Sequence, residues 1–437
     1  MNKIKVAWIC QVSNSLIRKN ADTGYSFIGK LIRRILGKSV EPEHIDMHQW
    51  ITNGIDEFEK FNNIELHVIS FLPYLKRKYV NFIHNGVYYH LYRNQIYDLD
   101  EKIISQIKRR TRSYGFNRNK KRIKRIIESI KPDIIHLIGA EIPSYAGVLC
   151  NISLKCPKIV QLQTLVNVPD FQKGYPISDD LYEYMAKGEM INLHSADFIG
   201  TKSKVFTKEL QSLVPGKTIL SLNLALTEKP KINKKINKIY DFIYFAKNIE
   251  KSIDWAIESF IIANQKHPGL TMIVVGNYDK KTKEDIENRL LKYNLIDNVF
   301  LKGSLPTHDD VLMQMQEARC AVLPMKVDLV TGTIREAMAY GIPVVTNITA
   351  ASPNLNNKRK CVLLSEKGDF DKMASDMVEI IENVELANIL SINSILTSNE
   401  RSSNAEYMQE WVLAYNEVIR NFKYQIPISD KLIAKTF

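Results

Sequence analysis

The chain has 437 residues, which is too long for one ordinary hydrophobic core, so two domains are expected. Hydrophobic residues make up 45% and charged residues 25%, a composition that excludes a disordered chain and a membrane-embedded one. Five cysteines without CxxC or Cys/His spacing exclude a disulfide framework and indicate no structural metal. The net charge of +12 favours an anionic partner such as a polyanion or a membrane surface.

The first half alternates short apolar runs with longer amphipathic stretches, which is the pattern of a parallel sheet covered by helices. The first apolar run ends at Gln11 and Ser13, so it predicts a strand and is too short for a signal peptide or a membrane span. Further strands are predicted at 65–69, 133–137, 158–162 and 197–200. We therefore predict an N-terminal α/β domain over residues 1–223 and a cytoplasmic protein.

A basic stretch runs from Lys108 to Arg125 and interleaves lysine and arginine with isoleucine. It fits a solvated helix face whose apolar side lies in the core. It equally fits a surface that, together with the basic residues 76–78, binds the anionic headgroups of a membrane. Nucleic acid is not expected as a partner, because no recognised binding motif accompanies the charge.

The second half repeats the α/β pattern after residues 224–238, which lack apolar periodicity and predict an exposed linker. Strands are predicted at 241–245, 270–275, 298–302, 321–323, 343–346 and 361–364, each spaced for an intervening helix. These elements predict a second domain over residues 239–403. Residues 404–437 begin with apolar and aromatic side chains at helical spacing, which predicts a closing amphipathic helix.

The segment VLPMKVDLVTGTIREAMAYGIPVVTN, residues 322–347, predicts a strand, a loop, a short helix and another strand. Thr331 or Thr333 can cap the helix, Gly341 suits the left-handed position after it, and Pro343 prevents its continuation. A loop that leads from a strand end into a helix start presents backbone amides that bind phosphate. Gly332 allows the close approach that such a contact needs.

Two carboxylates border this loop, because Asp328 lies within it and Glu336 lies in the first turns of the helix. Both can face one ligand. Two alternatives remain open: Thr333-x-x-Glu336 also matches a capping box, and Asp328 alone can be an ordinary loop carboxylate.

Written as D-LVTGTIR-E-AMAYGIPVV, the segment resembles the donor-site signature of retaining GT-B glycosyltransferases, the group 1 type of capsule, O-antigen and exopolysaccharide synthesis. The resemblance implies two Rossmann-like domains with a cleft between them and a C-terminal helix that crosses back to the first domain. It assigns Glu336 to the ribose hydroxyls of the donor nucleotide. It assigns Asp328 to the transferred sugar, at a position where the family usually has glutamate.

The segment YFAKNIEKSIDWAIESF, residues 244–260, is similar to the part of this family where two basic residues neutralise the diphosphate. In this chain they are Lys247 and Lys251; the alternative is an ordinary surface helix start. The resemblance implies a donor site formed by Lys247, Lys251, Gly276, Leu305, Asp328, Thr331, Gly332, Thr333 and Glu336. Of these, Lys251, Asp328 and Glu336 are the expected catalytic residues, and Leu305 is expected to contact the base through its backbone.

The segment IKPDIIHLIGAEIPSYAGVL, residues 130–149, resembles a strand and loop that face the donor sugar in capsular and O-antigen transferases. Glu141 is the polar residue of this loop, so it is the acceptor-side candidate. Helix capping by the same carboxylate is an equal alternative.

The resemblance implies transfer of a sugar, with retention, from a nucleotide diphosphate sugar, UDP rather than GDP, and without metal or cofactor. The implied acceptor is a glycan, lipid-linked, in bacterial surface polysaccharide synthesis, with the enzyme peripheral on the inner face of the cytoplasmic membrane. Two alternatives stay open: an epimerase or phosphorylase of the same fold, and an inactive membrane-associated scaffold.

Overall fold

A computed structural model describes most of the chain, and its residues divide into two compact α/β units. The described residues are 3–25, 27–35, 37, 39–41, 46–72, 74–94, 117–168, 171, 179–226, 236–246, 252–326, 332–349 and 351–435. The first unit comprises Met1–Gln172, Ile177–Leu226 and Ser403–Phe437, and the second comprises Lys173–Pro176 and Thr227–Ser402. The predicted α/β class is confirmed.

The strands and helices are numbered here in chain order over the described residues. The strands are β1 Ile4–Cys10, β2 Ile64–Leu72, β3 Tyr79–His84, β4 Val87–Arg93, β5 Ile134–Ile138, β6 Lys158–Gln161, β7 Phe198–Gly200, β8 Thr218–Leu220, β9 Tyr240–Phe245, β10 Met272–Val275, β11 Val299–Gly303, β12 Ala318–Val322, β13 Val344–Asn347 and β14 Val362–Ser365. The helices are α1 Ser15–Lys19, α2 Phe27–Ile35, α3 Gln49–Phe58, α4 Asn117–Ile130, α5 Asp179–Ser195, α6 Lys204–Leu213, α7 Ile253–Lys266, α8 Lys280–Lys292, α9 His308–Gln316, α10 Gly332–Ala339, α11 Phe370–Glu382, α12 Val384–Asn399 and α13 Asn404–Tyr424. None of these helices is long and apolar enough to cross a bilayer.

The first unit contains a sheet in the order β3-β4-β2-β1-β5-β6-β7-β8. Its strands pair in parallel except β3, which is antiparallel to β4. Apolar side chains fill both faces of the sheet, as expected for parallel strands covered by helices. Every strand predicted in this half forms.

The hairpin of β3 and β4 and the short strand β8 were missed by the sequence prediction. Asn85 and Gly86 join the hairpin, and both have positive φ, 46° and 80°, as a type I′ turn requires. The Asn-Gly pair is a strong hairpin signal, so the hairpin is predictable from the sequence.

The second unit contains an all-parallel sheet in the order β11-β10-β9-β12-β13-β14. All six strands predicted for this half form. One core lies beneath α7 and α11, and the other lies beneath α9 and α10. Because the strands are parallel, all of their carboxyl ends meet at one edge, where α/β proteins bind ligands.

The C-terminal helix α13 packs into the core of the first unit, as the predicted fold requires. The Trp8 indole donates a hydrogen bond to the Tyr415 hydroxyl at 2.9 Å, and that oxygen lies 2.7 Å from Nδ1 of His136. The Trp411 indole donates to the Asn223 carbonyl at 2.7 Å. Burial lowers the pKa of His136 to about 3, so this histidine is neutral in the folded protein.

Candidate functional site

The carboxyl ends of β9, β10 and β11 are held in close contact in the second unit. The Ala246 amide donates to the Val275 carbonyl at 2.7 Å, and the Gly276 amide donates to the Gly303 carbonyl at 2.8 Å. Gly276 has a φ of 133°, and a Cβ there would lie 2.9 Å from the backbone of Ala246. Glycine is therefore required for the chain that leaves β9 to pass over β10.

That chain continues into residues 247–251, so the predicted phosphate ligands Lys247 and Lys251 lie outside the described residues. Predicted Gly276 lies directly beside the last described residue before them, Ala246.

A polar clamp fixes the point where the chain leaves β12. Asn347 accepts a hydrogen bond from the Met325 amide at 2.6 Å and donates one to the Met325 carbonyl at 3.0 Å. The Thr346 hydroxyl donates to the Leu323 carbonyl at 2.7 Å, and the side chains of Thr346 and Asn347 are fully buried. The loop that leads to Asp328 thus starts from a backbone held by the neighbouring strand. Asp328 and Thr331 themselves lie outside the described residues.

The helix that follows, α10, begins at Gly332 and ends in a Schellman motif. The Gly341 amide donates to the Met338 carbonyl at 3.1 Å, and the Ile342 amide donates to the Ala337 carbonyl at 2.9 Å. Gly341 has a φ of 66°, the left-handed conformation that the sequence predicted.

Thr333 is the second residue of α10, and Gly332 is the first. The residue before Gly332 lies outside the described residues, so the capping-box alternative for Thr333 and Glu336 stays open. A Cβ at Gly332 would meet no described atom within 4 Å.

Glu336 points from α10 toward the start of α9. Its Oε1 lies 3.1 Å from Nε2 of His308, and the two side chains are only 12% and 15% exposed. This Nε2 makes no hydrogen bond with the described residues, although it lies close to the carboxylate. A reciprocal capping box between Thr307 and Asp310 fixes the first turn of α9, which positions His308.

Two further residues border this pair. Leu305 is half-buried against the core and precedes α9, so the structure brings the predicted base-binding loop and the predicted ribose ligand to the same place. Burial raises the pKa of Tyr340, and the nearby charges of Asp309 and Glu336 raise it further. Because its side chain is only 12% exposed, the Glu336 carboxylate lies in a partly dehydrated setting, where a hydrogen bond to a ligand hydroxyl is strong.

Residues 247–251 and 327–331 lie outside the described residues, but the described residues that border these two segments contact each other. Lys326 Nζ lies 3.4 Å from Oδ2 of Asp254 and 5.6 Å from the ring centroid of Trp255. Ser252, the N-cap of α7, donates to the other oxygen of Asp254. Lys326 precedes Asp328 by two residues and Ser252 follows Lys251, so both predicted donor segments start from the same neighbourhood.

Sequence reasoning missed His308, Asn347 and Lys326. The capping box at Thr307 was readable in the sequence and placed His308 at a helix start. Nothing local showed that His308 faces Glu336 or that Asn347 holds Met325, because these pairs are 28 and 22 residues apart in the chain.

In the first unit, Glu141 lies at the carboxyl edge of the sheet, after β5, and is 5% exposed. The next helical turn, Pro143–Tyr145, has Ile142 as its N-cap residue, which makes no side-chain capping bond. The adjacent loop is held by the buried carboxylate of Glu189, which accepts from the amides of Val166 and Asn167, both at 2.9 Å. Burial raises the pKa of Glu189 despite these bonds.

The basic stretch is described only from residue 117 onward, and Lys108 to Arg112 lie outside the described residues. In α4 the isoleucines Ile123, Ile126, Ile127 and Ile130 are buried in the core. Lys121 and Arg125 are exposed on the other side. The described part is thus a solvated basic face with an apolar inner side, and this arrangement leaves lipid binding open.

Comparison with known proteins identifies related sequences and folds. Residues 227–396 match the family model "Glycosyl transferases group 1". An "Uncharacterized glycosyltransferase" of Haemophilus influenzae is 20% identical over 295 residues, which are 67% of this chain and 78% of that protein.

Among solved structures, sucrose-phosphate synthase from Thermosynechococcus elongatus superposes with a TM-score of 0.66 at 15% identity, covering 95% of this chain and 99% of that one. Anabaena Alr3699/HepE in complex with UDP and glucose superposes with a TM-score of 0.59 at 11% identity, covering 94% and 99%. The predicted family resemblance is confirmed for the second unit, and the predicted fold is confirmed for the chain.

Proposed function

We propose that this chain, a GT-B-fold protein with a group 1 glycosyltransferase domain, transfers a sugar with retention from a nucleotide diphosphate sugar, UDP rather than GDP, to a glycan acceptor. The observation that carries the proposal is Glu336, held in a nearly buried position beside His308 and the Leu305 loop. The group 1 family match spans all three residues. The Anabaena structure with UDP and glucose supports UDP as the nucleotide.

Glu336 is proposed to accept hydrogen bonds from the two ribose hydroxyls of the donor. A carboxylate on the second turn of a helix has a fixed backbone, and its contact with His308 limits its rotamers. A hydrogen bond between a ligand and a charged group contributes about 1.5–3 kcal/mol. Glu336 then accounts for a large part of nucleotide affinity.

The diphosphate is proposed to bind at the start of α10, through backbone amides near Gly332 and Thr333 and through Lys251, with Lys247 beside it. Positive groups and helix-start amides that are fixed before the reaction stabilise the charge that develops on the leaving diphosphate. We propose that these groups suffice without a metal ion. Lys326, paired with Asp254, borders the same region at the entrance to the loop.

Retention is proposed to proceed by front-face attack. The acceptor hydroxyl forms its bond to the anomeric carbon on the face that the diphosphate leaves, and its proton passes to a phosphate oxygen. Asp328 then contacts the sugar and stabilises the positive charge at the ring. An NMR measurement of the anomeric configuration of the product tests this step, and an inverted product would contradict it.

The acceptor is proposed to be a lipid-linked glycan of bacterial surface polysaccharide synthesis, with Glu141 on the acceptor side. The basic surface that includes Lys108 to Arg125 is proposed to hold the protein on the inner face of the cytoplasmic membrane, where anionic lipids attract such residues.

The test is a panel of UDP-, GDP- and ADP-sugars, with donor binding and slow donor hydrolysis measured for wild type, Glu336→Ala and Glu284→Ala. Glu284 is exposed on α8 and pairs only with Lys280 among the described residues, so it is the matched control. We expect one nucleotide to be preferred and its affinity to fall about tenfold or more in Glu336→Ala alone. Turnover without an acceptor to a rearranged sugar would instead indicate an epimerase, and binding without any turnover would indicate a scaffold.

A further inference from the structure

Helix α2 presents its apolar side to solvent. Phe27 is 85% exposed, Ile35 is 76%, Leu31 is 50% and Ile32 is 39%. Residues four apart share one face of a helix, so Phe27, Leu31 and Ile35 form a continuous apolar stripe. A surface helix of a globular protein normally buries such a stripe and exposes its polar side.

The polar side of α2 is only partly covered by neighbouring residues. Gly29 is buried, and the guanidinium of Arg33 lies 4.3 Å from the ring centroid of Tyr25. Arg33 Nε also donates to the Ser39 carbonyl at 2.6 Å, and Lys30 Nζ lies 2.8 Å from Glu41. These surface contacts tie Lys30 and Arg33 to the residues around α2, while the apolar stripe is exposed.

Basic residues continue from α2 across the neighbouring surface. Tyr25 packs edge-on against Tyr74 with ring centroids 4.9 Å apart, and the exposed residues Lys76, Arg77 and Lys78 follow Tyr74. Arg93 donates to the Lys76 carbonyl at 3.2 Å. Arg122 of α4 in turn donates to the Arg93 carbonyl, which connects the surface around α2 to the described basic face of α4.

A second apolar stripe shows what is particular to α2. Ile389, Ile392 and Leu396 of α12 are 44%, 57% and 46% exposed. The sequence of α12 contains no lysine or arginine, whereas α2 has Lys30, Arg33 and Arg34. Apolar exposure alone suits many partners, but an apolar stripe flanked by cations suits the boundary between headgroups and acyl chains of an anionic membrane.

We propose that α2 binds an anionic phospholipid bilayer, with Phe27, Leu31 and Ile35 inserted at the headgroup boundary. Arg34 and the residues 76–78 contact the headgroups. This inference rests on the membrane association included in the proposed function, but it does not depend on the transferase reaction.

The test measures binding to vesicles of phosphatidylcholine alone and of phosphatidylcholine with phosphatidylglycerol, at low and high salt. The variants are Phe27→Ser/Ile35→Ser, Lys76→Gln/Arg77→Gln/Lys78→Gln, and the control Ile389→Ser/Ile392→Ser on α12. UDP binding is measured in parallel, so loss of membrane binding is distinguished from failure of the donor site.

We expect wild type to bind anionic vesicles with partial resistance to salt, because charge attraction is screened while apolar insertion is not. Phe27→Ser/Ile35→Ser should lose affinity roughly 100-fold, about tenfold for each side chain removed from the bilayer. The triple glutamine variant should lose the preference for anionic lipid, and the α12 control should bind like wild type. UDP affinity should be unchanged in all of them.

Unchanged vesicle binding in Phe27→Ser/Ile35→Ser would overturn the proposal. So would self-association of the wild type without vesicle binding, since that result assigns the stripe to a second copy of the chain. Phe27→Trp provides a fluorescence measurement of membrane insertion that leaves the apolar stripe intact. Its added emission should shift to shorter wavelength on anionic vesicles, and the absence of any shift would count against insertion.

Discussion

Helices α10 and α2 are nearly equal in length and are oriented oppositely with respect to solvent. Both end in a left-handed glycine, at Gly341 and Gly37. In α10 the apolar side, with Ile334, Ala337 and Met338, is buried. In α2 the apolar stripe from Phe27 to Ile35 is exposed.

The two helices share an amphipathic sequence followed by a left-handed glycine, but their apolar sides have different surroundings. The inward apolar side of α10 anchors it, so that its start and Glu336 are held in place for the donor that we propose. The outward apolar side of α2 leaves the exposed surface that we propose binds a membrane. Residue spacing predicts amphipathicity in both cases, but only the surrounding contacts determine which side faces the protein.

The largest expected effect in this comparison concerns the anchoring of the loop before α10. Asn347→Ala leaves the buried amide and carbonyl of Met325 without their hydrogen bonds, at a cost of about 2–4 kcal/mol of unfolding free energy. The kcat/KM for the donor should fall at least about tenfold, because a misplaced loop misorients the reacting groups. Urea unfolding and donor kinetics measure both effects.

The exposed Asn357 provides the control, since within the described part of the chain its side-chain amide bonds only to Asn354. Asn357→Ala should match wild type in both measurements. A stable Asn347→Ala protein with full activity would show that the clamp on Met325 does not support the site.

A smaller effect is expected from the glycines that end the two helices. A Cβ at Gly341 would lie 2.7 Å from Cδ1 of Ile395 and 2.8 Å from Oγ of Ser391, whereas one at Gly37 would meet no described atom within 4 Å. Left-handed backbone alone costs a non-glycine residue about 1–2 kcal/mol. Gly37→Ala should lose about 1 kcal/mol and Gly341→Ala about 2–3 kcal/mol, because α12 must also shift.

Urea denaturation of the two variants measures this difference directly. If both variants lose the same unfolding free energy, α12 moves away from the new methyl group at no cost, and α10 is no more tightly packed than α2.

The smallest effect at neutral pH comes from buried histidines, all in the first unit. His90 Nε2 lies 2.9 Å from His67 Nδ1, and Tyr79 Oη lies 2.7 Å from His90 Nδ1. Burial lowers the pKa of His67, and burial and the neighbouring His67 lower the pKa of His90 from 6.5 to about 4. His136 adds to this group of neutral histidines.

A histidine whose pKa is lowered by folding takes up its proton more readily in the unfolded chain. Its contribution to stability is therefore complete above pH 6.5 and decreases as the pH falls toward 4. Calorimetry should show the unfolding temperature of the first unit falling over this range. His90→Phe should make the dependence shallower, and His194→Phe, at an exposed position, should leave it unchanged. A pH dependence identical in all three proteins would contradict a neutral His90.

Most of the fold could be predicted from the sequence because its signals are local. Runs such as residues 134–138 and 272–275 are apolar and short, and such runs form buried parallel strands. Gly341 was assigned its conformation because few other residues adopt it after a helix. The Asn85-Gly86 hairpin was equally readable but was overlooked, since the strands were read only as parts of strand–helix units.

The resemblance to a donor-site signature can also be recognised from the sequence alone, because Glu336 and the residues after it form one continuous motif. The tertiary structure decided what surrounds that motif: His308 beside Glu336, Asn347 on Met325, and Lys326 beside Asp254. It also decided that α2 faces solvent with its apolar side. Spacing along the chain determines which residues share a face, whereas the packing of distant segments determines what that face meets.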